Sequence, residues 1–254
     1  MFAKKSFGQH FLVQARVIER IAETICAHQF PRVLEIGPGK GAITKLLAPE
    51  IKDFYAIEAD IEMYNYLQSQ FPQWKDQFIL CDFLKFNLNT IFPNEEFMLC
   101  GNFPYNISSQ IVFRTLEHAH RIPILNGMFQ REMALRIKAE PGAKDYSILS
   151  VLTAMFYDAK ILFDIGNQNF SPPPKVQSSF LELRRKPTVI SENEYIALKK
   201  LVKLSFQFRR KTLRNNLKSL VQDPQRLSDS FFSRRPEELS PQEFFELSKS
   251  DLLT

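Results

Sequence analysis

The sequence predicts an α/β fold built on a mostly parallel sheet, closed by a late antiparallel pair of strands and followed by a small all-helical C-terminal domain. Three observations lead there. Strand-like runs alternate with helix-patterned stretches up to about residue 159, which is the signature of βαβ units. Three of the chain's eight glycines fall in Gly37-Pro38-Gly39-Lys40-Gly41, between the apolar run Val33–Ile36 and a helix-like stretch from Ala42 to Leu47. Beyond Pro187 every apolar pattern has helical spacing.

In order along the chain, strands are expected at 33–36, 54–58, 78–82, 97–100 and 122–129, each a short apolar run. Helical spacing joins Ile18, Ile21, Ala22 and Ile25, and again Ile111, Val112, Thr115 and Leu116. After Ala159 the pattern changes to 161–165, a Gly166-Asn167 turn signal, a Pro-rich loop and 179–183, which reads as an antiparallel pair. Helical patterns then run through Ile196, Leu198, Leu201 and Val202, through Leu213, Leu217 and Leu220, and through Phe244, Phe245 and Leu247. The expected division is 1–187 for the α/β domain and 188–254 for the helical one.

With 254 residues, 44% hydrophobic and 24% charged, the chain has the material for a real core and does not have a disordered composition. No apolar run approaches the roughly 18 residues of a membrane span, and Met1–Lys5 leads into no apolar signal core, so a cytoplasmic protein is expected. Cys26, Cys81 and Cys100 are odd in number and far apart, which fits neither a disulfide framework nor metal-ligand spacing. The total charge of +5 is unevenly placed. From Arg184 to Leu220, eleven lysines and arginines stand against Glu192 and Glu194, a local excess of nine that leaves the rest at −4. Beside Phe206 and Phe208, such a concentration suits a polyanion, most often nucleic acid.

Ligands of open parallel sheets bind at the carboxyl ends of the strands. Glu35, Glu58, Asp82 and Asn102 each close an expected strand. A strand feeding a glycine turn that opens a helix offers backbone N–H groups to a nucleoside-containing ligand. Glu58, about twenty residues beyond the turn, has the spacing of a carboxylate that meets ribose hydroxyls, so a nicotinamide dinucleotide remains open at this point. Gly101-Asn102-Phe103-Pro104-Tyr105 argues for other chemistry. An exocyclic adenine amine is a weak nucleophile because its lone pair is delocalised into the ring. Two acceptors, the Asn102 side-chain oxygen and the Phe103 carbonyl, would favour its pyramidal form while Tyr105 stacks the base, a contact worth about 1–3 kcal/mol.

With these residues in place, the chain resembles the ribosomal RNA adenine dimethyltransferase family, of the type that modifies small-subunit (16S) RNA. The resemblance runs through residues 5–12, VLEIGPGKGAIT at 33–44, AIEAD at 56–60, GNFPYNIS at 101–108, MFQREMALRI at 128–137, FSPPPKVQSSF at 170–180 and FRRKTLRNNL at 208–217. It implies a class I (Rossmann-like) methyltransferase domain with a seven-stranded sheet, and S-adenosylmethionine as methyl donor without a metal. By the family's pattern, His10, Leu12 and Gly37 contact the donor, Gly39 and Glu35 shape the turn, and Glu58 holds the ribose. Asp82 and Phe83 take its adenine, and Asn102 reaches donor and target. Pro104 completes the catalytic corner. Phe170 would take the second face of a flipped base opposite Tyr105. Lys175, Arg209, Arg210, Lys211 and Arg214 would meet RNA. The implied partner is small-subunit RNA within a precursor particle, bound by a monomer with no membrane involved.

Two departures stand out: His10 where the family usually has Asn, and Phe103 where it usually has Leu. The nearest rival is the related large-subunit RNA methyltransferase of macrolide resistance, which the 208–217 run opposes. A rival of another class is an assembly factor that senses immature particles without catalysis.

Overall fold

The computed structural model describes residues 9–187, 190–218, 221 and 224–250. Residues 1–8, with the start of the 5–12 motif, lie outside the described residues, as do the expected domain start at Thr188 and Leu220.

The chain begins with β1 (Phe11–Leu12) and α1 (Ala15–Cys26), whose Ile18, Ile21, Ala22 and Ile25 form the expected buried stripe. The glycine turn lies between β2 (Arg32–Ile36) and the short α2 (Thr44–Leu47). β3 (Asp53–Glu58) leads to α3 (Ile61–Gln70), which Asp60 caps by accepting from the Glu62 N–H at 3.0 Å. β4 (Phe78–Leu80), β5 (Met98–Asn102), α4 (Ser108–Glu117) and β6 (Ile124–Gln130) complete the parallel part. There follow α5 (Arg131–Ile137), α6 (Ile148–Phe156), β7 (Tyr157–Ile165), β8 (Phe170–Ser171) and β9 (Ser178–Arg185). Last come α7 (Glu192–Ser205), α8 (Leu213–Leu217) and α9 (Pro241–Lys249).

Seven strands form one sheet in the order β4-β3-β2-β5-β6-β9-β7. The pairs among β4, β3, β2, β5 and β6 are parallel, and β9 runs antiparallel to β6. The two late runs are neighbours, with β7 at the edge. The parallel strands read as continuous apolar runs because both faces are covered, so Val33, Leu34, Phe54, Ala56, Met98 and Leu99 are all at most 1% exposed. β1 and β8 make a separate two-stranded ribbon, Phe11 opposite Ser171 and Leu12 opposite Phe170.

The chain divides into two compact units, one holding residues up to Ala134 with Lys160–Arg185, the other Leu135–Ala159 with Lys186 onward. This differs from the division at 187/188: residues 135–159 belong with the helical unit. The cause is the apolar character of α6, seven of whose nine residues are buried. α6 packs on α7 and α9, with the Phe156 and Tyr195 rings edge to face at 5.4 Å. Within the same unit the Tyr146 hydroxyl donates to the Leu239 carbonyl at 2.9 Å. Reciprocal capping boxes, Ser191 with Glu194 and Ser240 with Glu243, fix the starts of α7 and α9.

Candidate active site

The glycine turn needs its glycines, because Gly37, Gly39 and Gly41 have φ of +67°, +56° and +73°. A Cβ at Gly39 would stand 3.0 Å from the Phe11 ring. The glycine amides of the turn are already engaged. Gly37 N–H donates to the Ile57 carbonyl, Gly39 N–H to Glu58 Oε2 at 3.0 Å, and Gly41 N–H to the Pro38 carbonyl. The sequence reading had these amides facing a ligand; instead those of Gly37 and Gly39 tie the turn to β3, and that of Gly41 closes the turn on itself. A pyrophosphate would find none of the three glycine amides free here.

At the carboxyl ends of the strands opens a cavity of about 510 Å³, lined on its acidic side by Glu35, Glu58 and Asp82, with Lys40 as the one lysine or arginine of the lining among the described residues. Glu58 is 6% exposed and accepts from Gly39 N–H and, through Oε1, from Asp60 N–H at 2.9 Å. The Ala59 amide is bonded to the same carboxylate, so three backbone N–H groups hold it and only part of its acceptor capacity is left. Burial pushes the Glu58 carboxyl above its ordinary value, against the pull of those amides. Glu35 is wholly buried and accepts from the Thr44 hydroxyl at 2.7 Å. Desolvation raises its pKa to about 7, the Thr44 bond opposing and the nearby Glu58 adding to the shift. Asp82 Oδ1 accepts from Leu84 N–H at 2.9 Å, and Phe83, 3% exposed, lies beside it on the lining.

The corner after β5 faces the same cavity. Asn102 Nδ2 donates to the His10 carbonyl at 2.8 Å, which turns Oδ1 away as an acceptor. Tyr105 is fixed at both ends of its ring: its hydroxyl bonds Ser178 Oγ at 2.6 Å, and His10 stacks on it at 5.4 Å with 29° between planes. His10 Nδ1 lies 2.8 Å from the Pro172 carbonyl, which can only accept, so this nitrogen carries the proton. The imidazole therefore ties β1 to the Pro-rich loop. The Phe103 ring is packed away, edge-on to Phe129 at 5.1 Å, leaving its backbone to the site. The larger ring where Leu is usual is thus accommodated by the core.

His10, Leu12, Glu35, Gly37, Gly39, Glu58, Asp82, Phe83, Asn102, Phe103, Pro104 and Tyr105 all line one cavity. Phe170 does not. It is 3% exposed and packed in the core, because alternation along β8 turns Ser171, not Phe170, towards the cavity. Lys175 and Arg210 are exposed. Arg209 reaches the Ala143 carbonyl at 3.1 Å, and Lys211 lies 4.4 Å over the Phe208 ring. Arg214 is committed elsewhere: it donates to the carbonyls of Leu227, Ser228 and Asp229 at 2.7, 3.0 and 3.2 Å. Its Nε and Nη2 hold a loop, although the residue as a whole is exposed. Sequence reasoning missed Asp60, Thr44 and Ser178. Asp60 was legible as a cap two residues before Glu62; Ser178 reaches Tyr105 only through folding.

A seven-stranded sheet, parallel but for its late strands, with an acidic nucleoside-sized cavity at the strand ends, defines a class I methyltransferase. The family profile described as Ribosomal RNA adenine dimethylase matches residues 2–237. Two relatives named Ribosomal RNA small subunit methyltransferase A are close in sequence. That of Flavobacterium johnsoniae is 46% identical over 247 residues, 97% of this chain and 95% of its own. That of Porphyromonas gingivalis is 45% identical over 248 residues, 97% and 96%. Among solved structures, a dimethyladenosine transferase from Plasmodium falciparum has the same fold, with a TM-score of 0.76 at 23% identity, covering 94% of this chain and 96% of that one. The 23S rRNA methyltransferase ErmE gives a TM-score of 0.66 at 26% identity, covering 94% and 100%. The chain belongs to the ribosomal RNA adenine dimethylase family, and it is an RNA-methylating enzyme.

Proposed function

We propose that the chain transfers methyl groups from S-adenosylmethionine to the exocyclic amines of two adjacent adenosines in the 3′-terminal hairpin loop of small-subunit RNA, giving N6,N6-dimethyladenosine. The observation that carries this reading is the Asn102 amide, oriented by the His10 carbonyl so that Oδ1 is presented as an acceptor beside the pinned Tyr105 ring.

The cavity fits this donor better than a dinucleotide. Its carboxylates favour a cation and oppose a pyrophosphate, and the glycine amides that a phosphate would need are taken. The acceptor capacity left on Glu58 suits a ribose hydroxyl, and the second oxygen of Asp82 suits an adenine amine. When bound, S-adenosylmethionine supplies an electrophilic methyl group on sulfur, which requires neither a metal nor a covalent enzyme intermediate.

The chain's own residues then act on the target. Asn102 Oδ1 and the Phe103 carbonyl accept the two amine hydrogens, drawing the nitrogen out of conjugation and aiming its lone pair. Tyr105 offers the ring face that His10 leaves uncovered. Extruding a base costs a few kcal/mol, least in a loop, and stacking on Tyr105 offsets about 1–3 kcal/mol of that. Phe170 serves as the hydrophobic anchor of the loop that carries Ser171 and Pro172. Lys175, Arg209, Arg210 and Lys211 meet phosphates, the last three from the helical unit. The enzyme acts as a cytoplasmic monomer on a precursor of the small subunit.

Radiolabelled donor incubated with under-methylated small-subunit particles tests this reading. Label is expected in small-subunit RNA, recovered as dimethyladenosine after nuclease digestion. Label confined to large-subunit RNA would favour the macrolide-resistance activity, and particle binding without label would leave the assembly role alone.

A further inference from the structure

We infer that Arg114, on α4, is a positioning residue for the adenine end of the donor site. The inference rests on the reading above that Asp82 and Phe83 take the donor's adenine. It adds a residue that contacts neither donor nor target.

Residues 82–86 form a tight turn. The amides of Lys85 and Phe86 donate to the Asp82 carbonyl at 2.9 and 3.0 Å, and the Asp82 side chain caps Leu84 N–H at 2.9 Å. A turn of this kind leaves its later carbonyls pointing outward without strand or helix partners. Arg114 takes two of them. Its Nη1 donates to the Leu84 carbonyl at 2.5 Å, and its Nη2 donates to the Phe86 carbonyl. The guanidinium carbon also sits 5.3 Å from the centre of the Phe83 ring. One planar fork therefore fixes the far side of the turn while stacking against the residue that backs the base.

The choice of arginine follows from geometry. Two carbonyls two residues apart match two parallel N–H vectors, which a lysine ammonium cannot supply together with a flat face for Phe83. Burial lowers the Arg114 pKa, and the neighbouring charges of Glu117, then Asp82 and Cys81, oppose that shift. With the turn held, Asp82 keeps one oxygen on Leu84 N–H and the other free towards the cavity. Loosened, the turn would let Asp82 rotate. α4 is moreover the helix that follows the catalytic corner, with Ser108 Oγ donating to the Tyr105 carbonyl at 3.1 Å. Arg114 thus ties the base-binding turn to the element that begins at the target amine.

Calorimetry of S-adenosylhomocysteine and its inosine counterpart, in which a carbonyl replaces the adenine amine, separates positioning from general support. Wild type should prefer the adenine form, since Asp82 accepts from the amine and repels the carbonyl. In Arg114→Ala the affinity for S-adenosylhomocysteine should fall by about tenfold, the scale of losing one charge-assisted hydrogen bond, and the preference over the inosine form should shrink with it. The Asp82→Ala double variant should lose little more than either single one. Backbone amide exchange at residues 84–86 should quicken in the ligand-free protein. Should Arg114→Ala fail to fold, Arg114→Lys carries the same expectation at reduced size. A preference unchanged from wild type in a folded variant, or losses that simply add with Asp82→Ala, would overturn the inference. Failure of wild type to bind S-adenosylhomocysteine would instead remove the donor reading itself.

Discussion

Asn102, part-buried, and Glu35, wholly buried, carry the sharpest residue-level consequences. Asn102 is held by a backbone carbonyl, so its orientation exists before any substrate arrives, and pre-organised polar contacts of this kind are worth about 10²–10³ in turnover. Asn102→Ala should reduce kcat by about a hundredfold or more while RNA affinity, measured by filter binding, stays within about twofold. Undiminished turnover would remove Asn102 from the mechanism. Glu35 governs stability through pH. Its folded pKa of about 7 lies above the ordinary value of 4.5, so the folded protein holds a proton that the unfolded chain has released between those limits. The contribution of this group to stability is therefore greatest below about 4.5 and declines as pH rises to about 7, by on the order of 3 kcal/mol. Glu35→Gln keeps an acceptor for Thr44 and removes the titration. Denaturant unfolding at pH 5 and pH 8 should show a smaller difference for the variant, and an identical pH profile would contradict the assignment.

At the scale of elements, the basic run around α8 separates into two kinds of arginine that the sequence alone cannot tell apart. Both are exposed, but Arg214 donates to three consecutive carbonyls of the 227–229 loop, whereas Arg210 has no such anchor among the described residues. Arg210→Gln should flatten the dependence of log RNA affinity on log salt by about 0.7 to 0.9 and leave the melting temperature unchanged. Arg214→Gln should do the reverse, costing about 1–3 kcal/mol, roughly 2–12 °C in Tm, with the salt slope intact. An altered slope in the second variant would return Arg214 to the phosphate-binding set. Charge composition announces a polyanion site, but the allotment of each guanidinium depends on where a distant loop returns. The same limit hid Ser178, whose bond to Tyr105 spans 73 positions. By contrast Glu35, Glu58, Asp82 and Asn102 were legible, because strand ends and glycine turns are local patterns and the fold converts them into one rim.

For the whole molecule, order of elements was legible and their partition was not. The alternation of strands and helices fixed the parallel sheet to within a residue or two at most ends, as in Arg32–Ile36 for the expected 33–36 and Asp53–Glu58 for 54–58. The compact units differ from the expected division at residues 135–159, which carry no composition break, only an apolar helix whose partners α7 and α9 come much later in the chain. α6 buries Leu149, Val151, Leu152, Met155 and Phe156, and it packs on α7 and α9, both of which a chain ending at 187 would lack. A fragment of residues 1–187 should then expose a contiguous apolar face, since Tyr146 loses the Leu239 carbonyl and the Phe206 ring, and Phe156 loses Tyr195. Exposed faces of that kind drive association. The fragment is expected to bind a hydrophobic dye strongly and to sediment as oligomers, while a version that also deletes 135–159 behind a short Gly-Ser linker should bind less dye. A monomeric 1–187 fragment with no dye binding would show that α6 is stable without the helices after it, and the chain would then divide at 187 as its sequence suggests.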